Sequence, residues 1–454
     1  MVKNNKNSRR NFLKKSIIIP PLIIVPRHVL GGKGYTSPSD KLNIAGVGVR
    51  KWGMGSGNLL QCENENIVAL CDVDYNRSVP TFNKYPKAKV YKDFRVMMEN
   101  QKDIDAIVVA TPDHNHAVIT MMAMQMGKHV YCQKPLTHTV YEARVITEAA
   151  RKYKVQTQMG NQGRSSNEIR KLKEWVDDGA IGPIREVFAW TDRPIGGNAW
   201  DTFAVKAKSK EKPPIPEGLD WDLWLGPAKY RDYHPDYHPL SWRAWIDFGT
   251  GSMGDMGCHI LDPAFYALEL GAPSEIQATS THYIPEIESQ TYPSASIVRM
   301  TFPKRGNHPE LKLTWSDGRI QPPIPDEFKN GEQFTLSGAM LIGDSGKITH
   351  GSHGADGVKI IPEEKMLEYN QPKPYIPRVN TSHEKDWIRA CKDGNPASSS
   401  FDYGGPLTEM VLLGMIAIRC KNQKLIWDSK NFKFKNNEKA NSLLHKKYRK
   451  GWSL

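Results

Sequence analysis

The sequence predicts an α/β protein whose first half is a doubly wound parallel sheet. Three observations support this fold class. Short apolar runs recur along residues 42–135, helical segments separate them, and the first run ends in a glycine-rich loop. Strands that alternate with helices in this way form parallel sheets, and such sheets bind ligands at the carboxyl ends of their strands.

The composition excludes several other classes of protein. The chain has 454 residues, enough for two or three domains, and its 39% hydrophobic and 24% charged residues are near the globular average. The net charge of +13 is concentrated at the ends, because residues 1–33 hold eight Lys or Arg and no acid, and residues 421–454 hold ten against two. The stretch between them carries −3. We therefore expect no nucleic-acid partner and a solvated basic tail.

Residues 1–33 are predicted to be a twin-arginine export signal. Arg9 and Arg10 precede an apolar run over residues 17–25, which is far shorter than the ~20 residues that span a bilayer. A basic disordered start is the alternative interpretation. Recognition by the twin-arginine export machinery would place the protein in the periplasm. No cleavage site is obvious, which leaves retention as a membrane tether open.

The cysteines show no pairing pattern that indicates a metal or a disulfide scaffold. No two of them form a C-x-x-C pair or a zinc spacing. We therefore expect buried, unpaired thiols and no metal site. The six are Cys62, Cys71, Cys132, Cys258, Cys391 and Cys420.

The first strand and its loop have the parts of a dinucleotide site. The apolar run 42–48 contains Gly46 and Gly48, and Gly53 follows shortly before a helical segment. Glycine permits the tight turn and the close approach of a pyrophosphate to the helix N-terminus. The fingerprint G-x-G-x-x-G fits in neither register, since Arg50 or Lys51 stands where a glycine is expected. An ordinary strand-to-helix turn is the alternative.

A second apolar run, residues 67–74, contains Asp72 about twenty residues beyond the glycines. An acid at this point accepts hydrogen bonds from ribose hydroxyls and repels a 2′-phosphate, which favours NAD over NADP. Two further apolar runs, residues 105–112 and 129–135, continue the alternation of strand and helix.

The order of these motifs resembles that of the Gfo/Idh/MocA oxidoreductases. After the glycine-rich loop come residues 69–74, then Ala-Thr-Pro-Asp-His-Asn-His at 110–116 and Gln-Lys-Pro at 133–135. The resemblance covers nearly the whole chain after the signal. It implies a Rossmann domain (40–160), an α+β substrate domain with a large, mostly antiparallel open sheet (161–380), and C-terminal helices that pack back, with the basic tail (381–454).

The resemblance also implies where the cofactor binds. Lys134 would approach both the nicotinamide and the substrate, although a surface lysine before a proline is the alternative. The family motif is usually Glu-Lys-Pro, so Gln133 is a departure that removes a charge favouring the ammonium form of the lysine. The expected cofactor contacts are Gly46, Gly48, Gly53, Asp72, Thr111, Pro112, His116, Gln133 and Lys134.

The second half of the chain supplies candidate proton-transfer residues. Asp255 and His259 are four residues apart and Asp262 is three further, so the three share one face of a helix. A carboxylate that orients an imidazole is suited to a general base near neutral pH, and the resemblance gives Asp and His at this spacing that role. A zinc site and a histidine satisfied within the core are the alternatives.

Aromatic residues are dense between residues 220 and 245. Rings beside polar groups suit the faces of a sugar, whereas core packing or a subunit interface is the alternative. The candidate substrate contacts are Arg243, Trp245 and Asn161. We expect His234 and His238 to lie in a solvated loop between prolines. The aromatic residues are Trp221, Trp224, Tyr230, Tyr233, Tyr237, Trp242 and Trp245.

Later segments read as the second domain. Residues 275–281, 296–302, 311–316 and 332–343 alternate or run apolar between turns, which predicts strands. From residue 381 the pattern becomes helical.

These features together predict an NAD-dependent oxidoreductase that acts on a secondary hydroxyl of a sugar or glycoside. Oxidation of a glycoside at C3 is the favoured reaction, with tightly held NAD and an unidentified electron acceptor. One alternative is a glycosidase or epimerase that oxidises its substrate only transiently. Another is a non-catalytic protein that binds a sugar or nucleotide. The resemblance also implies a homo-oligomer.

Overall fold

Two sheets and the helices around them account for most of the chain. The computed structural model describes residues 40–194, 211–281, 290–329 and 331–454. The predicted export signal lies outside the described residues. Residues 42–454 form one compact unit.

The first sheet has six strands, all parallel, in the order β3-β2-β1-β4-β5-β6. Helices connect successive strands, as the alternation of patterns predicted. The doubly wound parallel sheet is therefore confirmed. Its strands are β1 (Asn43–Val47), β2 (Asn66–Cys71), β3 (Lys89–Tyr91), β4 (Ala106–Val109), β5 (His129–Cys132) and β6 (Thr157–Met159).

The helices of this domain begin at recognisable signals. Asp74 and Asp93 accept a hydrogen bond from an amide of the first turn, and Thr139 forms a capping box with Glu142. The helices are α1 (Met54–Gln61), α2 (Tyr75–Lys84), α3 (Phe94–Asn100), α4 (Asp113–Gln125) and α5 (Val140–Tyr153).

The second sheet has nine strands in the order β13-β12-β11-β7-β10-β9-β8-β14-β15. Only the central β7–β10 pair is parallel, so the mostly antiparallel sheet is confirmed. The strands are β7 (Ile184–Trp190), β8 (Glu275–Ser280), β9 (Ser296–Phe302), β10 (Leu311–Ser316), β11 (Gly338–Gly343), β12 (Gly346–Gly351), β13 (Lys359–Ile361), β14 (Leu425–Asp428) and β15 (Lys433–Phe434).

Helices cover one face of this sheet and tie it to the first domain. The long helix α12 packs against α5 of the first domain and against α8 and β8 of the second. The helices are α6 (Asn167–Asp177), α7 (Trp221–Leu225), α8 (Gly251–Ile260), α9 (Asp262–Ala267), α10 (Glu363–Glu368), α11 (His383–Asp393), α12 (Phe401–Arg419) and α13 (Glu438–Ser442).

The C-terminal part differs from the prediction in two respects. Strands β14 and β15 add to the second sheet, so residues after 380 are not helices alone. Seven of the ten basic side chains of residues 421–454 are exposed, as expected of a solvated tail, but the last residues pack on the domains. Arg449 pairs with Asp222, and Trp452 contacts the Phe94 ring at 6.1 Å between centroids. These contacts could not be predicted from local charge density, because the partners lie far away in sequence.

Candidate functional site

A cleft at the carboxyl edge of the parallel sheet collects residues from both domains. The first domain supplies the glycine-rich loop, the end of β2, the loop after β4 and the segment after β5; the second supplies α8 and the loop after β12. The lining includes Gly48, Arg50, Gly53, Asp72, Thr111, Pro112, Asp113, His116, Gln133, Lys134, Gln162, Arg193, Trp224, His238, Trp242, Arg243, Asp255, His259 and His353.

The glycine-rich loop turns at Gly48, whose φ of +81° lies in the region that favours glycine. A Cβ there would meet the Ala110 carbonyl oxygen at 2.6 Å. The third glycine of the fingerprint is Gly55, inside α1, where a Cβ would lie 2.1 Å from the Gly48 carbonyl oxygen. The loop is therefore longer than the standard motif, which explains why neither register fitted. Gly46 lies within β1 and outside the cleft lining.

The N-terminus of α1 is free to hold a phosphate. Gly53 is its N-cap and lines the cleft, and no side chain caps the helix. The first-turn amides of such a helix have no partner within the helix and attract anions. The local backbone therefore fits the pyrophosphate of a dinucleotide.

Asp72 stands at the end of β2 and lines the same cleft. Its two carboxylate oxygens accept hydrogen bonds from the amides of Val49, at 2.8 Å, and Asp74, at 2.9 Å. Burial raises the pKa of this carboxyl, and the hydrogen bonds oppose that shift. Each oxygen retains a lone pair, so the carboxylate can still accept from a ribose hydroxyl.

Lys134 and Asp255 join the two domains across the cleft. The Lys134 ammonium donates to the Asp255 carboxylate at 3.0 Å and to its backbone carbonyl at 2.6 Å. Arg193 and Arg243 also pair with this carboxylate. Burial alone would raise the pKa of Asp255, but the three cations together hold it well below its usual range. The carboxylate is thus the common anion of three cationic side chains.

His259 is one turn after Asp255 on α8, yet Asp255 does not orient it. The carboxylate oxygens of Asp255 point to the three cations, and Nδ1 of His259 is buried with no hydrogen-bond partner among the described residues. This arrangement corrects the expected hydrogen bond between the two residues, since three cations outcompete one neutral ring. Burial, followed by the charge of Lys134, lowers the pKa of His259 far below its usual value.

His353 was not anticipated from the sequence. It follows β12, lines the cleft, and packs against His259 with 4.3 Å between ring centroids and 36° between the ring planes. Burial and then Lys134 lower the pKa of His353 as well, so both rings are neutral near pH 7. No motif surrounds His353, and only the sheet topology brings its loop to α8.

Asp113 is another unanticipated residue of the cleft. It is buried and accepts a hydrogen bond from the Thr250 hydroxyl at 2.6 Å. Burial raises the pKa of Asp113 to about 7, against the opposing effects of Thr250, Arg243 and Lys134. A carboxyl with this pKa can hold or release a proton near neutral pH.

The neutral side chain of Gln133, which replaces the usual glutamate beside Lys134, belongs to a buried hydrogen-bond network. Its amide donates to Asn58 at 2.8 Å, and Asn58 in turn donates to Glu384 at 2.6 Å. Glu384, on α11, also accepts from the Tyr131 hydroxyl. The resemblance leads us to expect a carboxylate at position 133 itself. In this chain the buried carboxylate of Glu384 is instead linked to Gln133 through Asn58.

The aromatic segment is mainly a core of its own. Trp221, Trp224, Tyr233, Tyr237, Trp242 and Trp245 are buried in one cluster, and only Tyr230 is largely exposed. Core packing, the alternative interpretation, therefore describes most of these rings. Of the seven, only Trp224 and Trp242 reach the cleft.

This aromatic segment covers the nucleotide end of the cleft. His238 is buried and donates from Nε2 to the Asp74 carboxylate at 2.7 Å, which corrects the expectation of a solvated loop. The Asp220 amide donates to the Val73 carbonyl, and Asn115 contacts the Trp224 carbonyl. The segment is thus attached to the carboxyl edge of the first sheet.

Two predicted substrate contacts lie away from the cleft. Asn161 is 0% exposed and bonds to Asp262 and Ser399. Trp245 is 1% exposed within the aromatic core. Gln162 and Trp242, their near neighbours in sequence, line the cleft instead, whereas Arg243 lies where the sequence placed it. Which residue of each neighbouring pair lines the cleft depends on burial in the folded protein, and the residue types alone do not predict it.

The described ranges also bear on metals, thiols and membranes. They contain no group of three or more His, Cys, Asp or Glu residues that could hold a metal ion. Five of the six cysteines are buried, as predicted, and the sixth, Cys391, is partly exposed. Within the part of the chain that the structure describes, every helix is too short or too polar to cross a bilayer.

Known proteins resemble this chain in sequence. D-glucoside 3-dehydrogenase of Escherichia coli is 29% identical over 204 residues, which are 45% of this chain and 56% of that protein. Levoglucosan dehydrogenase of Pseudarthrobacter phenanthrenivorans is 26% identical over 61% of this chain and 60% of its own. Inositol 2-dehydrogenase of Salmonella typhimurium is 30% identical over 31% of this chain and 43% of its own. The matches therefore span about half of each curated relative.

Solved structures share the fold. The aldose-aldose oxidoreductase from Caulobacter crescentus has a TM-score of 0.56 at 16% identity, covering 85% of this chain and 100% of that one. An inositol dehydrogenase homolog from Azotobacter vinelandii, complexed with NADH and myo-inositol, has a TM-score of 0.55 at 15% identity, covering 85% and 98%.

Family models match both domains. The model described as "Oxidoreductase family, NAD-binding Rossmann fold" matches residues 42–161. The model of the family's C-terminal alpha/beta domain matches residues 165–287, and the two together cover more than half of the chain. The chain belongs to the Gfo/Idh/MocA family of oxidoreductases.

Proposed function

We propose that this protein is an NAD-dependent dehydrogenase that oxidises a secondary hydroxyl of a sugar or glycoside, with C3 of a glycoside as the favoured position. One observation carries the proposal: Lys134 from the first domain and His259 from the second line a single cleft that also contains Gly53 and Asp72. A cationic donor, a neutral base and a dinucleotide cradle are the groups that alcohol oxidation requires.

NAD fits the first domain. The uncapped N-terminus of α1 suits a pyrophosphate, and the Asp72 carboxylate favours a ribose diol over a 2′-phosphate. When bound, NAD supplies the ring carbon that takes up the hydride. The aromatic segment that covers this end of the cleft supports tight retention of the cofactor.

The chain's own residues would orient the alcohol and receive its proton. Lys134, held by Asp255, can donate a hydrogen bond to the substrate oxygen and so stabilise the charge that develops on it. His259 is neutral and its Nδ1 is sealed in the protein, which leaves Nε2 to accept the hydroxyl proton. Arg193, Arg243 and His353 line the remaining wall and can hydrogen-bond other hydroxyls.

The test is a spectrophotometric assay of the purified protein with NAD and a panel of glucosides. We expect reduced nicotinamide to accumulate and a ketosugar to be released, with C3 oxidation identified by NMR of the product. Lys134→Ala and His259→Ala should each lower kcat by about 10²–10⁴-fold while the protein remains folded. Absence of any bound or bindable dinucleotide would refute the proposal.

Retention of the cofactor also favours a second candidate, a reaction that oxidises and later reduces the same sugar. Its net result would be glycosidic cleavage or epimerisation with no change in the redox state of NAD. Free hexose or an epimer, without reduced nicotinamide, would distinguish it from the dehydrogenase. A non-catalytic binding protein would instead bind NAD and show no turnover.

We place the enzyme in the periplasm, exported by a twin-arginine signal, because Arg9 and Arg10 precede a short apolar run. Replacing both arginines by lysine should leave the protein in the cytoplasmic fraction. A homo-oligomer is also part of the proposal. The electron acceptor would be whatever re-oxidises the retained cofactor.

A further inference from the structure

His116 bridges the two loops that line the catalytic end of the cleft. Its ring is 1% exposed and lies near the start of α4. Nε2 lies 2.8 Å from the carbonyl oxygen of Thr111, in the loop after β4, and Nδ1 lies 2.8 Å from that of Pro135. Pro135 follows Lys134 directly, and Thr111 lines the cleft.

The chemistry of these contacts favours two protons on the ring. A carbonyl oxygen only accepts hydrogen bonds, and a neutral imidazole has a single N–H to donate. A neutral ring would therefore set one nitrogen lone pair against a carbonyl lone pair at 2.8 Å in a buried site. The imidazolium form donates to both oxygens and avoids this repulsion.

His114, two residues away, provides a contrast within the same helix. Its ring also contacts two carbonyl oxygens, those of Trp224 and Phe248. However, the Asn115 amide group has two N–H donors and lies 3.1 Å both from Nε2 of His114 and from the Trp224 carbonyl oxygen. It can donate to both acceptors, so a neutral His114 ring with its proton on Nδ1 has a donor for its Nε2 lone pair, whereas His116 has no such amide donor among the described residues. Burial lowers the pKa of His114 to about 3. Full burial therefore does not by itself decide the charge of a histidine here.

The groups around His116 favour the charged form. Burial lowers its pKa, but the Cys132 side chain and the carbonyls of Pro135 and Thr111 outweigh burial, and the net shift is upward. The titratable groups that act on the ring are Cys132, at the end of β5, and His114, on the same helix.

We propose that His116 is a positioning residue: a buried imidazolium that fastens the Thr111 loop to the Lys134–Pro135 segment and so fixes the nicotinamide end of the cleft. This role differs from the direct cofactor contact that the sequence suggested. Its effect on the reaction rests on the proposed function, whereas the charge of the ring does not.

The charge can be measured on the full chain without cofactor or substrate. Selective ¹⁵N-histidine labelling and NMR at pH 7 should show both nitrogens of His116 in the protonated range. His114 should show one protonated and one bare nitrogen and serves as the internal control. A neutral pattern for His116 would overturn the proposal, whatever the enzyme's activity.

The positioning role is tested by NAD binding across pH. Raising the pH through the pKa of His116 removes one donor, so NAD should bind about 10- to 100-fold more weakly above that pH. In His116→Gln, both N–H donors are on one nitrogen, which can reach only one of the two carbonyls. Binding should therefore be weak at all pH values, with kcat lowered and the step due to His116 absent. Asp113, whose pKa is raised to about 7, is present in both proteins, so a step of unchanged size and midpoint in the variant would refute the role. If the wild type binds no NAD while NMR shows the imidazolium, the proposed function fails and the charge assignment stands.

Discussion

A single carboxylate organises the charges at the centre of the cleft. Asp255 is 5% exposed and pairs with Lys134, Arg193 and Arg243. If Asp255 lost its charge, the three partly buried cations would have no common counter-ion. Uncompensated buried charge destabilises the fold, so the ionised form of Asp255 stabilises it.

Asp255→Asn should therefore destabilise the fold by about 3–5 kcal/mol at pH 7. Because the cations depress the folded pKa of Asp255, its stabilising contribution is complete above the unfolded pKa and disappears as the pH falls through the folded pKa. Urea denaturation at pH 7 measures the loss. Asp317→Asn is the control: Asp317 is equally buried, but its donors, Ser296 and Trp315, are neutral, so the loss should be smaller. Equal losses would show that the cations contribute little.

Gln133 can be tested against the glutamate of the usual motif. In Gln133→Glu, a carboxylate would face the Asn58 amide oxygen, an acceptor against an acceptor. Rotating the Asn58 amide would only move the conflict to Glu384. We expect a loss of about 1–3 kcal/mol in the free energy of unfolding. Adding Glu384→Gln, which supplies a donor, should restore most of it, and failure of that rescue would contradict the network.

At the scale of elements, the glycine loop works through the contact between β1 and α1. Gly55→Ala puts a methyl group 2.1 Å from the Gly48 carbonyl oxygen, so α1 must shift and its N-terminus must leave the pyrophosphate position. We expect weaker NAD binding and a loss of at least about 1 kcal/mol in stability. Gly57→Ala, in the same helix, meets nothing within 4 Å and should stabilise the protein by about 0.5–1 kcal/mol. Calorimetric titration measures the NAD affinity of both variants, and urea denaturation measures their stability.

The elements also show what the sequence could predict. The buried strands β1, β2, β4 and β5 carry continuous apolar runs, and β9 and β10 were predicted with their observed bounds, 296–302 and 311–316. Short strands such as β3 and β15, with three and two residues, offer too few positions for a periodic pattern. They form because β2 and β14, the strands beside them, offer backbone hydrogen-bond partners.

The candidate site was predictable where chemistry is local and not where it depends on packing. Lys134, Asp255 and His259 stand in motifs and do line the cleft. His353 and Arg193 enter it through the topology of the second sheet, which no local spacing encodes. Conversely, Trp245 has the residue type of a sugar contact, but its ring packs in the aromatic core and its indole N–H donates to the Asp236 carbonyl.

At the scale of the whole molecule, the C-terminal tail crosses several elements of the first domain. Lys446 and Tyr448 both bond to Glu142, the buried capping-box partner of Thr139 in α5. Arg449 pairs with Asp222 of α7, and Trp452 lies under the Arg95 guanidinium at 4.5 Å. The tail thus supplies cations to Glu142 and Asp222. These pairs bring part of the positive charge of the C-terminal end against the slightly acidic middle of the chain.

Removal of residues 446–454 should consequently destabilise the whole protein, by roughly 3 kcal/mol or more, because Glu142 would keep a buried charge without its cation. A shorter deletion, residues 450–454, keeps Lys446 and Arg449 and removes the apolar contacts of Trp452 and Leu454, so it should cost less than half as much. Urea midpoints of the two truncated chains and the full chain give the comparison directly. Identical midpoints for all three would mean that the tail is the solvated end its composition suggests, and that the acids of the first domain are stabilised without it.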